Sequence, residues 1–386
     1  MRRSLIVLAA LGVLAAVPAW GQSSQFGING LGIPGRGLSI RAAGAGGAFG
    51  FFDPLSSLNP ASVNELTQLT AGFAMVGSYR NSSNPSAEAS GRDTRFPQFM
   101  AGGAVPRSRL ALGAYFSNYS DRDFLLASSD TIQLNGSPVG VTDTLASLGG
   151  LSDLRLTVGY RPPGWSLGAG MHVITGGTRV SLKRVFDDSL YNPVSQRAEI
   201  SYSGVGFSVG AARSLGGGLA ASAMIRLDGS ARIDRDSTEV GTVDLPITFG
   251  GALRWRASPR LDLATSVTRR SWSGADDDLR ALGGTGSRNT FEWSGGAEWL
   301  SDPRRPASRP LRVGAHYRTL PFPVESGAQP KEFGLSLGSA MGFARDPQSG
   351  MARAQVDLSL SRVWRSAAGG YREGAWLIGV GFSVRP

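Results

Sequence analysis

Residues 352–361 read ARAQVDLSLS. Ala352, Ala354, Val356, Leu358 and Leu360 alternate with Arg353, Gln355, Asp357, Ser359 and Ser361. Successive side chains on a strand point to opposite faces, so a period of two predicts a strand with one apolar and one polar face. A helix would scatter the same polar residues round its whole circumference. The pattern repeats upstream. Phe333, Leu335, Leu337, Met341 and Phe343 alternate with Glu332, Gly334, Ser336, Gly338 and Gly342, and Leu311, Val313, Ala315 and Tyr317 alternate with Arg312, Gly314, His316 and Arg318.

Extended along the chain, this pattern predicts fourteen strands. They run approximately over 65–81, 94–105, 109–119, 151–161, 165–184, 196–213, 219–230, 243–256, 261–272, 289–299, 310–319, 331–343, 352–365 and 373–384. Nearly all reach the nine to eleven or so residues that a tilted strand needs to cross a bilayer. The connections alternate in length. Those at 106–108, 162–164, 214–218 and 257–260 are short, and those at 82–93, 120–150, 185–195, 231–242 and 273–288 are long. Short turns at one end and long loops at the other mark bacterial outer-membrane barrels, and an even strand number returns the last strand to the end where the first began. A large soluble β-sandwich or solenoid is the competing architecture, and the alternation of loop lengths speaks against it.

Aromatic residues on the apolar face fall near strand ends: Tyr160, Trp255, Trp272, Trp299, Tyr317, Trp364 and Trp376. These positions suit interfacial girdles. The last strand carries Trp376, Ile378, Val380, Phe382 and Val384 on one face.

The N-terminus has a different grammar. Arg2 and Arg3 precede an apolar run from Leu5 to Val17, and Ala19-Trp20-Gly21 places small residues before Gln22. Residues 1–21 therefore read as a secretory signal peptide, too short to span a bilayer as a helix. Residues 22–64 have little periodicity. Their centre, RAAGAGGAFGFFDPLSSLNPASV (Arg41–Val63), is rich in Gly and Ala and ends in Asn59-Pro60-Ala61. Its small residues suit close packing inside a wall, and Ala42–Phe49 suits a short helix. A fourteen-stranded barrel lies between the eight strands that side chains fill and the sixteen or so that leave an aqueous channel. Residues 22–64 are the material to close it, as a plug inside a barrel formed by 65–386.

Composition excludes several classes. With no Cys there is no disulfide framework or thiolate metal site, and two His make a His-rich metal site improbable in number alone. The net charge of +10 is carried largely by arginines scattered singly along the strands, with no basic run and no nucleic-acid-binding motif. No Gly-x-Ser-x-Gly elbow, His-Glu-x-x-His or Walker loop occurs, so no catalytic set and no cofactor is expected.

The Gly/Ala run at Arg41–Phe49, the Asn59-Pro60-Ala61 triplet, the plug-like N-terminus and the fourteen strands together resemble the long-chain fatty acid transport family of outer-membrane channels (FadL-like). The motif resemblance covers about twenty residues, and the run between its two parts, GFFDPLSSL at Gly50–Leu58, departs from the family's Ala- and Asp-rich form. The resemblance implies a hatch containing Asn59, Pro60 and Ala61. It also implies an amphipathic ligand taken from the outer loops into an apolar pocket, and a lateral exit through the wall at a kinked strand. Pro97 inside the second strand and Asn118 near the end of the third are the candidates for that exit.

Alternation assigns Arg155, His172, Arg226, Asp228, Arg254, Arg256, Glu292, Glu298, Arg312, His316, Arg318 and Asp357 to the lumen. Two readings stand for the arginines and histidines among them. They bind a ligand's carboxylate or sulfate head, or they pair with one another and stiffen the barrel. Asp276-Asp277-Asp278 in an outer loop reads as a calcium ligand set or, lacking the Gly and distal Glu of a calcium loop, as a solvated tip. The expected function is passive uptake of hydrophobic or amphipathic small molecules by a monomer among outer-membrane lipid, with no nucleic-acid partner. The alternative is a protein-interaction or secretion-shuttle barrel.

Overall fold

The computed structural model describes residues 24–85, 87–303, 308–324, 328–345 and 352–385. The expected signal peptide lies outside these residues. A two-residue strand, β1 (Ile33–Pro34), belongs to the N-terminal segment. Then follow β2 (Thr70–Asn84), β3 (Ala87–Ala104), β4 (Leu110–Asp121), β5 (Phe124–Leu134), β6 (Ser137–Tyr160), β7 (Trp165–Phe186), β8 (Val194–Gly216) and β9 (Leu219–Leu227). The second half holds β10 (Ser230–Arg235), β11 (Thr238–Asp244), β12 (Ile247–Ser258), β13 (Leu261–Ser271), β14 (Thr290–Trp299), β15 (Leu311–Thr319), β16 (Lys331–Arg345), β17 (Ala352–Ser366) and β18 (Arg372–Val384).

Among the described residues, fourteen of these form one antiparallel wall: β2, β3, β4, β6 to β9 and β12 to β18. The wall closes where β18 pairs with β2, from Arg372 opposite Ser83 to Val384 opposite Ala71. These are the fourteen segments that the alternation predicts. Outward residues carry the apolar face: Leu156, Val158, Leu311, Leu337, Leu358 and Ile378 are among those 40 to 60 % exposed. Closure pairs the strand edges with one another over most of the wall, which is why this exterior is tolerable in lipid.

Four expectations need revision. The connection at 120–150 is not a loop, because β5 and the outer half of β6 form a hairpin above the wall, turning at Asn135 (φ 50°) and Gly136 (φ 80°). The connection at 231–242 holds the hairpin β10–β11, which turns at Asp236 and Ser237 and docks on β8. Outside the membrane neither face has to be apolar, so the alternation that marks the wall is missing there. Third, β2 and β3 continue as paired strands through residues 82–84 and 87–93. Fourth, Trp272 is not a girdle residue. It is 1 % exposed and packs edge-on against Phe322, with ring centroids 5.1 Å apart. Around that pair a small core of Leu31, Ile174, Tyr202, Ile233, Val243 and Leu279 caps the outer end of the barrel.

The N-terminal segment lies against the inward faces of the wall. Ser39 caps a helix over Ile40–Gly44, accepting from the Ala42 amide at 3.1 Å and donating to Asp53. Asn59 caps a 3-10 turn over Pro60–Glu65. Wall glycines make room for both. A methyl group at Gly314 would lie 2.2 Å from the Ala45 carbonyl carbon, one at Gly168 would lie 2.3 Å from the Pro60 carbonyl carbon, and one at Gly210 would lie 1.9 Å from Asn59 Oδ1.

Candidate functional site

The interface between this segment and the lumen is ionic as well as close-packed. Arg36 meets Glu292 on β14 at 2.7 Å, and Arg41 meets Glu298 on the same strand at 3.0 Å. Ser24 donates to Glu373 on β18 at 2.7 Å. Behind these contacts the wall pairs its own charges. Arg312 joins Glu298 (2.6 Å) to Asp357 (2.7 Å), and Glu332 holds both Arg318 and Arg365 at 2.6 Å. Buried charges need such partners, because an unpaired one is costly.

Most arginines and histidines assigned to the lumen are spent in this way. Arg226 bonds Asp153 (2.6 Å) and Asp228 (2.5 Å) and lies over the Tyr119 ring. Arg254 approaches Asp262 at 3.8 Å and stands over Phe52 of the N-terminal segment. Arg318 also donates to the Pro34 carbonyl at 3.0 Å. His316 Nε2 lies 3.1 Å from Glu332. His172 sits between Asp153 (2.9 Å) and Ser208 (2.8 Å), a hydrogen-bonded brace across β6, β7 and β8. All three members are buried, and Asp153 is shared with Arg226.

Arg155 differs. It is 1 % exposed, stacks on Tyr115 at 4.3 Å and donates through Nη1 to the Ser57 carbonyl at 2.7 Å. Its Nε and Nη2 have no partner, and it makes no ion pair among the described residues. Buried N–H groups are rarely left unmatched, so this guanidinium has spare capacity for an acceptor.

Asn59, Pro60 and Ala61 form one tight unit. Asn59 is fully buried; its Nδ2 donates to Ser222 on β9 at 2.6 Å, and its Oδ1 accepts from the Ala61 amide at 2.9 Å. The triplet thus ties the N-terminal segment to the wall directly ahead of β2.

Pro97 and Asn118 meet at a break in the wall. The β3–β4 ladder runs from Ala104 opposite Ala111 to Gln98 opposite Ser117 and then stops. Pro97 and Asn118 are the next residues on the two strands. On its other side β3 bulges, with Phe96 and Pro97 together facing the single residue Met75 of β2. A proline has no donor for a ladder, and a bulge bends its strand. The edge of β4 freed in this way is taken by β1: Ile33 pairs with Asp121, Pro34 with Ser120, and the Gly35 amide bonds the Tyr119 carbonyl at 2.8 Å. Arg95 on β3 spans the break to Asp121 and to Asp123.

Two cavities adjoin the break. One of about 150 Å³ is lined by Pro34, Arg80, Arg95, Asn118, Asp121 and Arg318. The other, of about 60 Å³, touches Leu58, Phe51, Met224, Trp272, Tyr119 and Arg226. An apolar cavity that takes up benzene measures roughly 150 Å³, so the second is too small for an aromatic ring in this arrangement.

No protein-family model and no curated protein matches the chain by sequence. Solved structures do match it in shape. A Pseudomonas aeruginosa FadL homologue aligns over 92 % of this chain and 99 % of its own at TM-score 0.62 and 12 % identity. The P. putida toluene transporter TodX covers 92 % of this chain and 99 % of its own at 0.57 and 14 %. The Ralstonia pickettii toluene transporter TbuX covers 90 % and 98 % at 0.57 and 13 %. The fold is that of the FadL-like outer-membrane channels.

A closed, even-stranded barrel with this FadL-like fold and an apolar exterior belongs in the outer membrane of a Gram-negative-type bacterium. Sequence reasoning missed several participants. Arg36 and Arg41 lie where no periodicity assigns a face. Arg365 could have been found, because it shares the inward parity of Asp357 on the same strand, whereas β4, which carries Tyr115 and Tyr119, holds none of the residues assigned to the lumen. The Asp276–Asp278 run opens a short helix over Asp276–Ala281, and its carboxylates accept from the Ser287 and Asp244 amides and from Arg280. Among the described residues no cluster has a metal-binding arrangement.

Proposed function

We propose that this protein passes hydrophobic or amphipathic small molecules across the outer membrane without an energy source. Residues 22–64 act as its hatch and the break between β3 and β4 as its lateral exit. The observation that carries the reading is the occupancy of that break. The strand edge exposed there is filled by β1 of the hatch itself, so displacing the hatch also opens the wall. The small cavity beside it supports a closed resting state from which the hatch has to shift before a ligand fits. Named relatives in shape that transport toluene support an aromatic hydrocarbon as one ligand class. Arg155, with its unmatched N–H groups, supports a second, a carboxylate-headed chain such as a fatty acid. Asn59, Pro60 and Ala61 anchor the hatch, and Arg226, Arg254, Arg312, His316, Arg318 and His172 hold the lumen in shape instead of meeting the ligand.

Uptake of labelled toluene and labelled oleate by cells with and without the protein tests this. Faster entry of at least one, saturable and independent of cellular energy, is the expected result. Equal entry in both strains contradicts the proposal.

A further inference from the structure

The outer rim of the wall carries a second feature that uptake does not use. On β16, β17, β18, β2 and β3 the outward residues near the long-loop end are aromatic and cationic. Phe333 stands opposite Trp364, Trp376 stands between Arg362 and Tyr79, and Tyr79 stands opposite Arg92. Phe333, Trp364, Trp376 and Tyr79 are each 41 to 45 % exposed, as an interfacial girdle requires. Lys331 and Arg372 lie one step further out, opposite Ser366 on either side.

Arg362 is held by its surroundings. Its guanidinium stacks between Trp364 (5.5 Å) and Trp376 (5.2 Å) and lies over Gly374, where a methyl group would come within 2.6 Å of it. Among the described residues Arg362, Arg372, Lys331 and Arg92 make no ion pair, in contrast to Arg226, Arg312 and Arg318 in the lumen. Beside Arg362 and Arg372 runs a groove of about 620 Å³, bordered by Asn81, Ser83, Ser90 and Trp364. Glu88 lines it two strands away from Arg372, in register through Ser83, and Glu373, the other carboxylate on it, is inward and bonded to Arg365. Cations at the depth of the headgroups, with aromatic neighbours and no ion-paired carboxylate, complement a negatively charged lipid.

We infer that this groove binds the phosphate-bearing headgroup of an anionic lipid in the outer leaflet. Arg362 and Arg372 are the phosphate ligands, and the girdle aromatics lie along the acyl chains. The site rests on the orientation of the barrel and is independent of what the lumen carries.

The full-length barrel in phosphatidylcholine nanodiscs, mixed with bisphosphorylated lipid A or with its dephosphorylated form, tests the assignment by native mass spectrometry of retained lipid. Retention of the phosphorylated form alone is expected, with about five-fold weaker binding in Arg362→Gln and in Arg372→Gln. Equal retention of the dephosphorylated form overturns the proposal, as does unchanged affinity in the double variant. Should the double variant misassemble, judged by loss of heat-dependent gel mobility, the wild-type comparison of the two lipids decides.

Discussion

Asn59 and Gly210 show how single residues seat the hatch. Asn59→Ala removes the bond to Ser222 and the cap on the Ala61 amide, an expected loss of about 1–2 kcal/mol in urea unfolding in detergent. Gly210→Ala places a methyl group against Asn59 Oδ1 and should unseat the hatch while the wall still forms. Protease cleavage within residues 24–66, with heat-dependent gel mobility retained, is the expected sign. The ion pairs rank themselves by what a deletion leaves behind. Arg41→Ala leaves Glu298 with Arg312 and should cost about 1 kcal/mol or less, since Arg41 is itself partly exposed. Arg312→Ala strips a buried cation from both Glu298 and Asp357 and should cost about 3–5 kcal/mol. Arg155→Leu separates the two ligand classes. Oleate uptake should fall about ten-fold and toluene uptake hold, and an equal effect on both would remove Arg155 from ligand recognition.

At the scale of elements, the wall was legible and what fills its interruption was not. All fourteen wall strands announce themselves by alternation, because lipid demands an apolar face from each. The hairpins β5–β6 and β10–β11 face no such demand, and the alternation that marks the wall is missing from them. Pro97 pointed to an irregular β3, yet nothing in the sequence says that β1 would fill the edge left on β4. That pairing joins residues about ninety apart and depends on the hatch lying inside the wall. Likewise, inward parity placed Arg312, Glu298 and Asp357 in the lumen but did not say that they would pair. Pro97→Val restores a backbone donor and lets β3 continue beside Asn118. Several-fold slower uptake with unchanged barrel stability is expected; unchanged uptake would place the exit elsewhere.

For the molecule as a whole, the inward wall glycines and the arginines at the contact between wall and N-terminal segment share one explanation. Glycines on the inner face bring the N-terminal segment's backbone up against the wall, that segment's Arg36 and Arg41 meet wall carboxylates, and Arg155, Arg270 and Arg318 of the wall donate to its carbonyls. In the proposed mechanism hatch and exit are one object, since β1 belongs to both. Pro34 and Ser120 are Cα partners in the β1–β4 pair. Opposed residues in such a pair stand about 4.5–5.5 Å apart, within the roughly 4.4–6.8 Å that a disulfide spans. The chain has no native Cys, so the double variant Pro34→Cys with Ser120→Cys forms a single defined tether. Uptake of labelled toluene or oleate by cells carrying that variant, oxidised and then reduced, is the most direct test. A hatch that must leave β4 predicts uptake blocked in the oxidised protein and restored by reductant, whereas equal uptake in both states would contradict it.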